Sequence, residues 1–108
     1  MRKIQRRVRT MTPEEAAWLG AFIDAEGWVG QMHTPSGDYW RITIGSTEPE
    51  YLSAFYRITG VGTVSTQKPR LGSKLFIAWS INATKGVEAI ARQCAPYSLK
   101  VRKVLNDQ

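Results

Sequence analysis

Apolar positions along the chain change spacing several times, and each change marks a structural element. In "AAWLGAFID", Trp18, Leu19, Phe22 and Ile23 recur at helical intervals. Thr12-Pro13-Glu14-Glu15 predicts where that helix starts. Thr12 suits the cap, Pro13 the first helical position, and Glu15 closes a capping box. Gly27 predicts its end. Beyond Gly27 the period falls toward two: "WVGQMHT" and "DYWRITIGS" flank "PSG", a hairpin signature. In the second strand Trp40, Ile42 and Ile44 alternate with Tyr39, Arg41 and Thr43. The first alternates poorly, with Trp28, Gly30 and Met32 against Val29, Gln31 and His33, and its faces stay open.

Helical spacing returns in "STEPEYLSAFYRITG". Leu52, Phe55 and Tyr56 give its apolar face, Thr47 and Glu50 a second capping box, and Gly60 its stop. A second hairpin follows: "VGTVSTQKP", a loop with Arg70 and Gly72, then "KLFIAWSI". There Leu75, Ile77, Trp79 and Ile81 form one face, and Lys74, Phe76, Ala78 and Ser80 the other. Asn82 is expected to cap a third helix carrying Val87, Ile90, Ala91 and Cys94. Pro96 breaks it before a short basic helical tail, "YSLKVRKVLNDQ".

Helix, hairpin, helix, hairpin, helix predicts an α+β sandwich, a four-stranded antiparallel sheet with helices on one face. Arg41, Thr43, Gln67 and Lys74 fall on the uncovered face. Such a face is either a reader for the DNA major groove or a solvated antiparallel surface.

Composition narrows the choice. At 108 residues and 43% hydrophobic, the chain is one ordered domain, expected over 12–108 behind a basic arm at 1–11. Fifteen Lys and Arg against nine Asp and Glu leave a charge of +6. That excess suits nucleic acid first and an anionic membrane surface second. Cys94 is the single cysteine, which excludes an internal disulfide framework and an all-Cys zinc site. It favours an intracellular setting, a bacterial or phage-infected cytoplasm or an organelle matrix. His33 is also single, so neither residue is assigned chemistry, and no apolar run reaches membrane-spanning length. "MRKIQRRVRT" lacks the apolar core of a signal peptide. It is either a solvated tail or an arm lying on phosphates.

Two features of the first helix remain unexplained by packing. Asp24 and Glu26 lie at its C-terminal end, where the macrodipole already places negative charge. Something positive is needed there. Gly20 sits in the helix interior, at a cost of about 1 kcal/mol against Ala. With Ala17, Ala21 and Asp24 it forms a stripe of small residues. The stripe either admits a second backbone or packs under the chain's own sheet.

These residues carry a resemblance. "LGAFIDAEG" (Leu19 to Gly27) resembles the motif of the LAGLIDADG homing endonucleases, and the element order matches their αββαββα fold. "ITIGSTEPEYLSAF" is similar to their second strand and second helix, "GVGTV" to the entry of their third strand, and "PYSLKVRK" to their basic segment after the third helix. The resemblance covers nearly everything from Thr12 onward. It implies a Mg²⁺-dependent (or Mn²⁺-dependent) DNA endonuclease that hydrolyses phosphodiester bonds at a long pseudo-palindromic target. One motif per chain implies a C2 homodimer joined through Ala17, Gly20, Ala21 and Asp24. Intron or intein mobility is the associated role.

Residue by residue, the resemblance makes Glu26 the metal ligand, with the Ala25 carbonyl as a further ligand and Asp24 in a supporting or capping role. Lys100 is implied to stabilise charge at the phosphate. The segment is one residue short of the usual spacing, so Arg102 and Lys103 stand as substitutes. Ser46 occupies the place of a solvent-positioning Gln, and Gly20-Ala21 reverses the usual Ala-Gly. DNA contacts are expected from Trp28, Tyr39, Arg41, Thr43, Ser65, Gln67, Lys68, Arg70 and Lys74. The short stretch after the basic segment implies a minimal or trimmed member. Three rivals remain. One is a catalytically silent DNA-binding regulator. Another is an RNA-splicing maturase using exposed aromatics such as Trp28, Tyr39 and Phe76. The last, a generic basic domain, leaves the acids unexplained.

Overall fold

The computed structural model describes residues 7–67 and 76–106, so Lys68, Arg70 and Lys74 lie outside the described residues. Helix α1 (Pro13–Glu26) begins at the expected capping box. The Glu15 N–H donates to Thr12 Oγ1 at 3.1 Å, and the Thr12 N–H to Glu15 Oε1 at 2.9 Å. Strands β1 (Gly27–Thr34) and β2 (Gly37–Ser46) form the first hairpin. Helix α2 (Pro49–Thr59) leads to β3 (Thr63–Gln67) and β4 (Phe76–Ile81), and helices α3 (Thr84–Cys94) and α4 (Arg102–Asn106) follow. The sheet order is β1-β2-β4-β3, antiparallel throughout, so β2 and β4 occupy its centre. The α+β architecture is as the pattern predicted.

One face of the sheet supplies the core. Val29, Trp40, Ile42, Ile44, Trp79 and Ile81 are all buried on it. Against them pack Leu19 and Ile23 from α1, Leu52 and Phe55 from α2, and Val87, Ile90, Ala91 and Cys94 from α3. Trp79 is fully enclosed, and its indole N–H is satisfied by the Val61 carbonyl at 3.0 Å. Burial pushes the Cys94 thiol up to about 12, which makes it inert.

Both later caps differ from the pattern. Glu48, not Thr47, occupies the cap position of α2, and the Thr47–Glu50 box does not form. Pro49 is the reason: it prefers the first helical position, which moves the start one residue on. The Ser46 hydroxyl instead accepts the Glu48 N–H at 3.0 Å. Ala83 rather than Asn82 precedes α3, with no side-chain cap.

Within the expected arm of residues 1–11, Arg9 and Met11 contact the rest of the fold. Arg9 pairs its backbone N–H with Thr59 O at 2.8 Å. Its guanidinium donates to the Arg57 and Ile58 carbonyls at 3.0 and 2.9 Å. Arg9 therefore satisfies the C-terminal end of α2, where a cation is favoured, and is not free for phosphates. Gln93 holds the same segment through Arg9 O and Met11 N, and Met11 is buried.

Candidate active site and nucleic-acid interface

Helix α1 runs straight into β1. Gly27 has an ordinary φ of −98°, so conformational freedom is not its purpose here. A Cβ would lie 2.8 Å from the Ile23 carbonyl oxygen, a backbone atom that cannot yield. Space, not conformation, selects glycine.

The two acids beside it have different fates. Asp24 is half-buried and fully engaged by the segment before α4. Its Oδ1 accepts the Ser98 hydroxyl at 2.7 Å and the Lys100 N–H at 3.1 Å, and Oδ2 accepts the Leu99 N–H at 2.9 Å. Burial pushes its pKa up, but those hydrogen bonds and the Lys100 charge outweigh it and leave the carboxyl below its ordinary value. Glu26 is exposed and makes no hydrogen bond or ion pair among the described residues.

Lys100 brings one positive charge to this helix end. Its ammonium donates to the Gly27 carbonyl at 2.7 Å, one residue beyond Glu26. Arg102 instead donates to Ala95 O at 2.9 Å, closing α3, and Lys103 is exposed on α4. Of the three, Lys100 is the one whose ammonium reaches the end of α1.

Register settles the open face. Trp28 lies opposite Thr43, Gly30 opposite Arg41, Met32 opposite Tyr39, and Thr43 opposite Ser80. On β3, Ser65 pairs with Ala78, and Gln67 with Phe76. Trp28, Tyr39, Arg41, Thr43 and Ser65 therefore share one face. Thr43 and Ser80 join hydroxyls at 2.8 Å, and Arg41 Nη2 donates to Ser80 Oγ at 3.4 Å. The Arg41 Nε is buried and has no partner among the described residues.

A groove of ≈ 500 Å³ opens on this face. Trp28 and Met32 line it from β1, Arg41, Thr43 and Gly45 from β2 and Ala78 from β4, with Glu26 and Gly27 at the end of α1. A larger cavity of ≈ 710 Å³ between β4 and the start of α3 touches neither acid. The arrangement offers an acceptor carboxylate, a fixed ammonium and an under-satisfied guanidinium beside an open groove. Those are the groups that phosphate oxygens and base edges pair with.

Other expected residues are placed differently. Ser46 is not a groove residue; Gly45 takes that place, while the Ser46 hydroxyl is committed to the turn before α2. The small stripe on α1 divides. A Cβ on Gly20 would meet Tyr97 Cβ at 3.1 Å and its carbonyl at 3.3 Å, so the close approach there is made by the chain's own backbone. Asp24 faces the same segment. Ala21 is exposed and Ala17 half-buried, leaving these two for an external contact. Ser98, Ser80, Gly30 and Met32 were missed. Only Ser98 had a signal, a hydroxyl at the head of the basic segment that an acid at a helix end would need.

A single chain offers few metal donors. No group of three or more His, Cys, Asp and Glu side chains converges among the described residues. Glu26 and the last-turn carbonyls of α1 are hard oxygen donors that suit Mg²⁺, which needs only one or two carboxylates beside phosphate and water. They fit that cation as half of a site. No described helix is long and apolar enough to cross a membrane.

No family model and no curated protein matches the sequence. Solved structures do match its fold. The homing endonuclease I-CvuI in complex with its target (Sro1.3), in the presence of 2 mM Ca, superposes with a TM-score of 0.68 at 18% identity. That match covers 87% of this chain and 65% of the other. I-CvuI with the I-CreI target (C1221) in 2 mM Mg, its DNA not cleaved, gives 0.66 at 19% identity over 86% and 64%. The chain thus spans just under two thirds of the length of these structures. What it shares with them is the fold, that of a homing endonuclease crystallised on DNA.

Proposed function

We propose that this chain is one half of a homodimeric, intracellular, site-specific DNA endonuclease. The duplex lies along the open sheet face, and Glu26 from each copy holds a shared divalent cation, Mg²⁺ or Mn²⁺. One observation carries the reading. Of the two acids ending α1, Asp24 is consumed by the fold while Glu26 is left exposed at the mouth of the groove. Lys100 offsets part of the helix-end charge, but Glu26 has no ion pair among the described residues and stays open to a cationic ligand.

Bound between two Glu26 carboxylates and the Ala25 carbonyls, the cation would activate water and stabilise the attacking and leaving oxygens of a phosphodiester. Arg41 and Thr43 hold the duplex. Lys100, anchored on Gly27 O, places fixed positive charge beside the reacting phosphate. Ala17 and Ala21 are the α1 residues open to a second helix, and the exposed Tyr97 and Leu99 flank them.

The test is a library of duplexes with randomised palindromes, incubated with and without Mg²⁺, beside Glu26→Gln. Metal-dependent cuts on both strands, absent in the variant, support the proposal. Selective binding without cleavage would make the chain a silent regulator. Preference for single-stranded RNA over every duplex would favour a splicing role. For the dimer, Ala21→Leu should shift the sedimentation mass toward one chain; an unchanged dimer mass would place the interface elsewhere.

A further inference from the structure

The two walls of the groove differ in chemistry, and that difference goes beyond contact with DNA. The β2 wall is polar: Arg41 and Thr43, tied to Ser80. The β1 wall is not. From Trp28 to Met32 its open-face positions are Trp, Gly and Met. The indole N–H is the only hydrogen-bond donor among those side chains.

The Trp28 ring does not stand out from the sheet. A Cβ on Gly30 would fall 2.5 Å from Cζ2 and 2.8 Å from Cη2 of the indole, so the six-membered ring lies back over Gly30 toward Met32. Only the absence of a side chain at position 30 permits this pose. Trp28 is still 46% exposed, so it offers free surface to whatever enters the groove. A ring laid against a sheet cannot wedge between stacked bases. It presents an apolar floor continuous with a thioether, on the groove-facing side of an otherwise basic protein.

Resting on the DNA-reading role proposed above, we infer that the β1 wall recognises the C5-methyl group of thymine. That methyl is the one apolar group on any base edge in the major groove. Cytosine presents a bare C5–H where thymine has its methyl, so it leaves the apolar surface unfilled. Guanine and adenine carry no apolar group at that place. Thymine alone puts a methyl there, and its O4 is an acceptor of the kind that the indole N–H and Arg41 pair with. The geometry further places this position next to the one contacted by Arg41, because Gly30 and Arg41 are register partners.

The test begins with the target recovered from the palindrome library. Each thymine of a half-site is replaced in turn by deoxyuridine, which removes the methyl and keeps the pairing. Affinity is measured by competition in calcium, the ion present in one of the similar complexes. One or two neighbouring thymines should lose about fourfold in affinity, the worth of one buried methyl. In the Trp28→Ala/Met32→Ala variant that loss should vanish, and the position should accept other bases. Gly30→Ala provides a check that keeps every wall side chain. Its Cβ must push the indole away, so methyl sensitivity must fall in a protein whose circular dichroism is unchanged. The inference is overturned if deoxyuridine is tolerated throughout, or if the methyl effect persists in both variants. Absence of any sequence-selective binding would instead sink the DNA reading on which it rests.

Discussion

The two ends of α1 are built in opposite ways. At the N-terminus, Thr12 and Glu15 close their box within four residues, and Pro13 sits where its missing N–H costs nothing. At the C-terminus, the partners of Asp24 lie 74 to 76 residues further along the chain. The first end is a local structure, and the second is assembled by tertiary contact. Chemistry is proposed at the second. An acid can be presented to a ligand there because its neighbour ties the helix end to a distant segment and Lys100 offsets the charge.

The comparison can be broken first at Asp24. Asp24→Asn should cost about 2–3 kcal/mol, since it weakens three charge-assisted hydrogen bonds at once. Urea unfolding measures it, and a loss below that of the opposite cap would invert the contrast. The same residue predicts a pH dependence. Its folded pKa lies below the ordinary 3.8, so its contribution is complete above the unfolded value and is lost as pH falls through the folded one. Acid titration of stability should be shallower in the variant than in wild type. Thr12→Ala comes next, at about 1 kcal/mol, with no effect on DNA binding. Smallest in stability is Lys100→Met, about 0.5 kcal/mol from the helix-end charge. That variant should nonetheless slow cleavage far more than Thr12→Ala does. Equal cleavage rates in the two would remove Lys100 from the proposed site.

What could be read in advance follows the same division. The boundaries of α1, the two hairpins and the apolar positions of β2, β4 and α3 were legible, because each depends on spacing within a few residues. The Thr47–Glu50 box was misread where two local signals competed and Pro49 won. The faces of β1 were not legible, since Trp28 and Val29 are both apolar; only pairing with Thr43 and Ile42 separates them. In the candidate site, Glu26 and Lys100 were named through resemblance, whereas Asp24's donors and the groove walls depend on strand order and on segments far apart. Gly20 shows the hazard of reading a small residue without its neighbours. It looked like room for a partner, and Tyr97 of the same chain fills that room.

The clasp on Asp24 also sets a timetable for synthesis. Helix α1 leaves the ribosome early, yet its acidic end stays without hydrogen-bond donors until residues 98–100 have emerged. Closing so large a loop comes after the hairpins, whose contacts are near in sequence. A nascent chain therefore carries the proposed metal ligand long before it carries the frame that aims it.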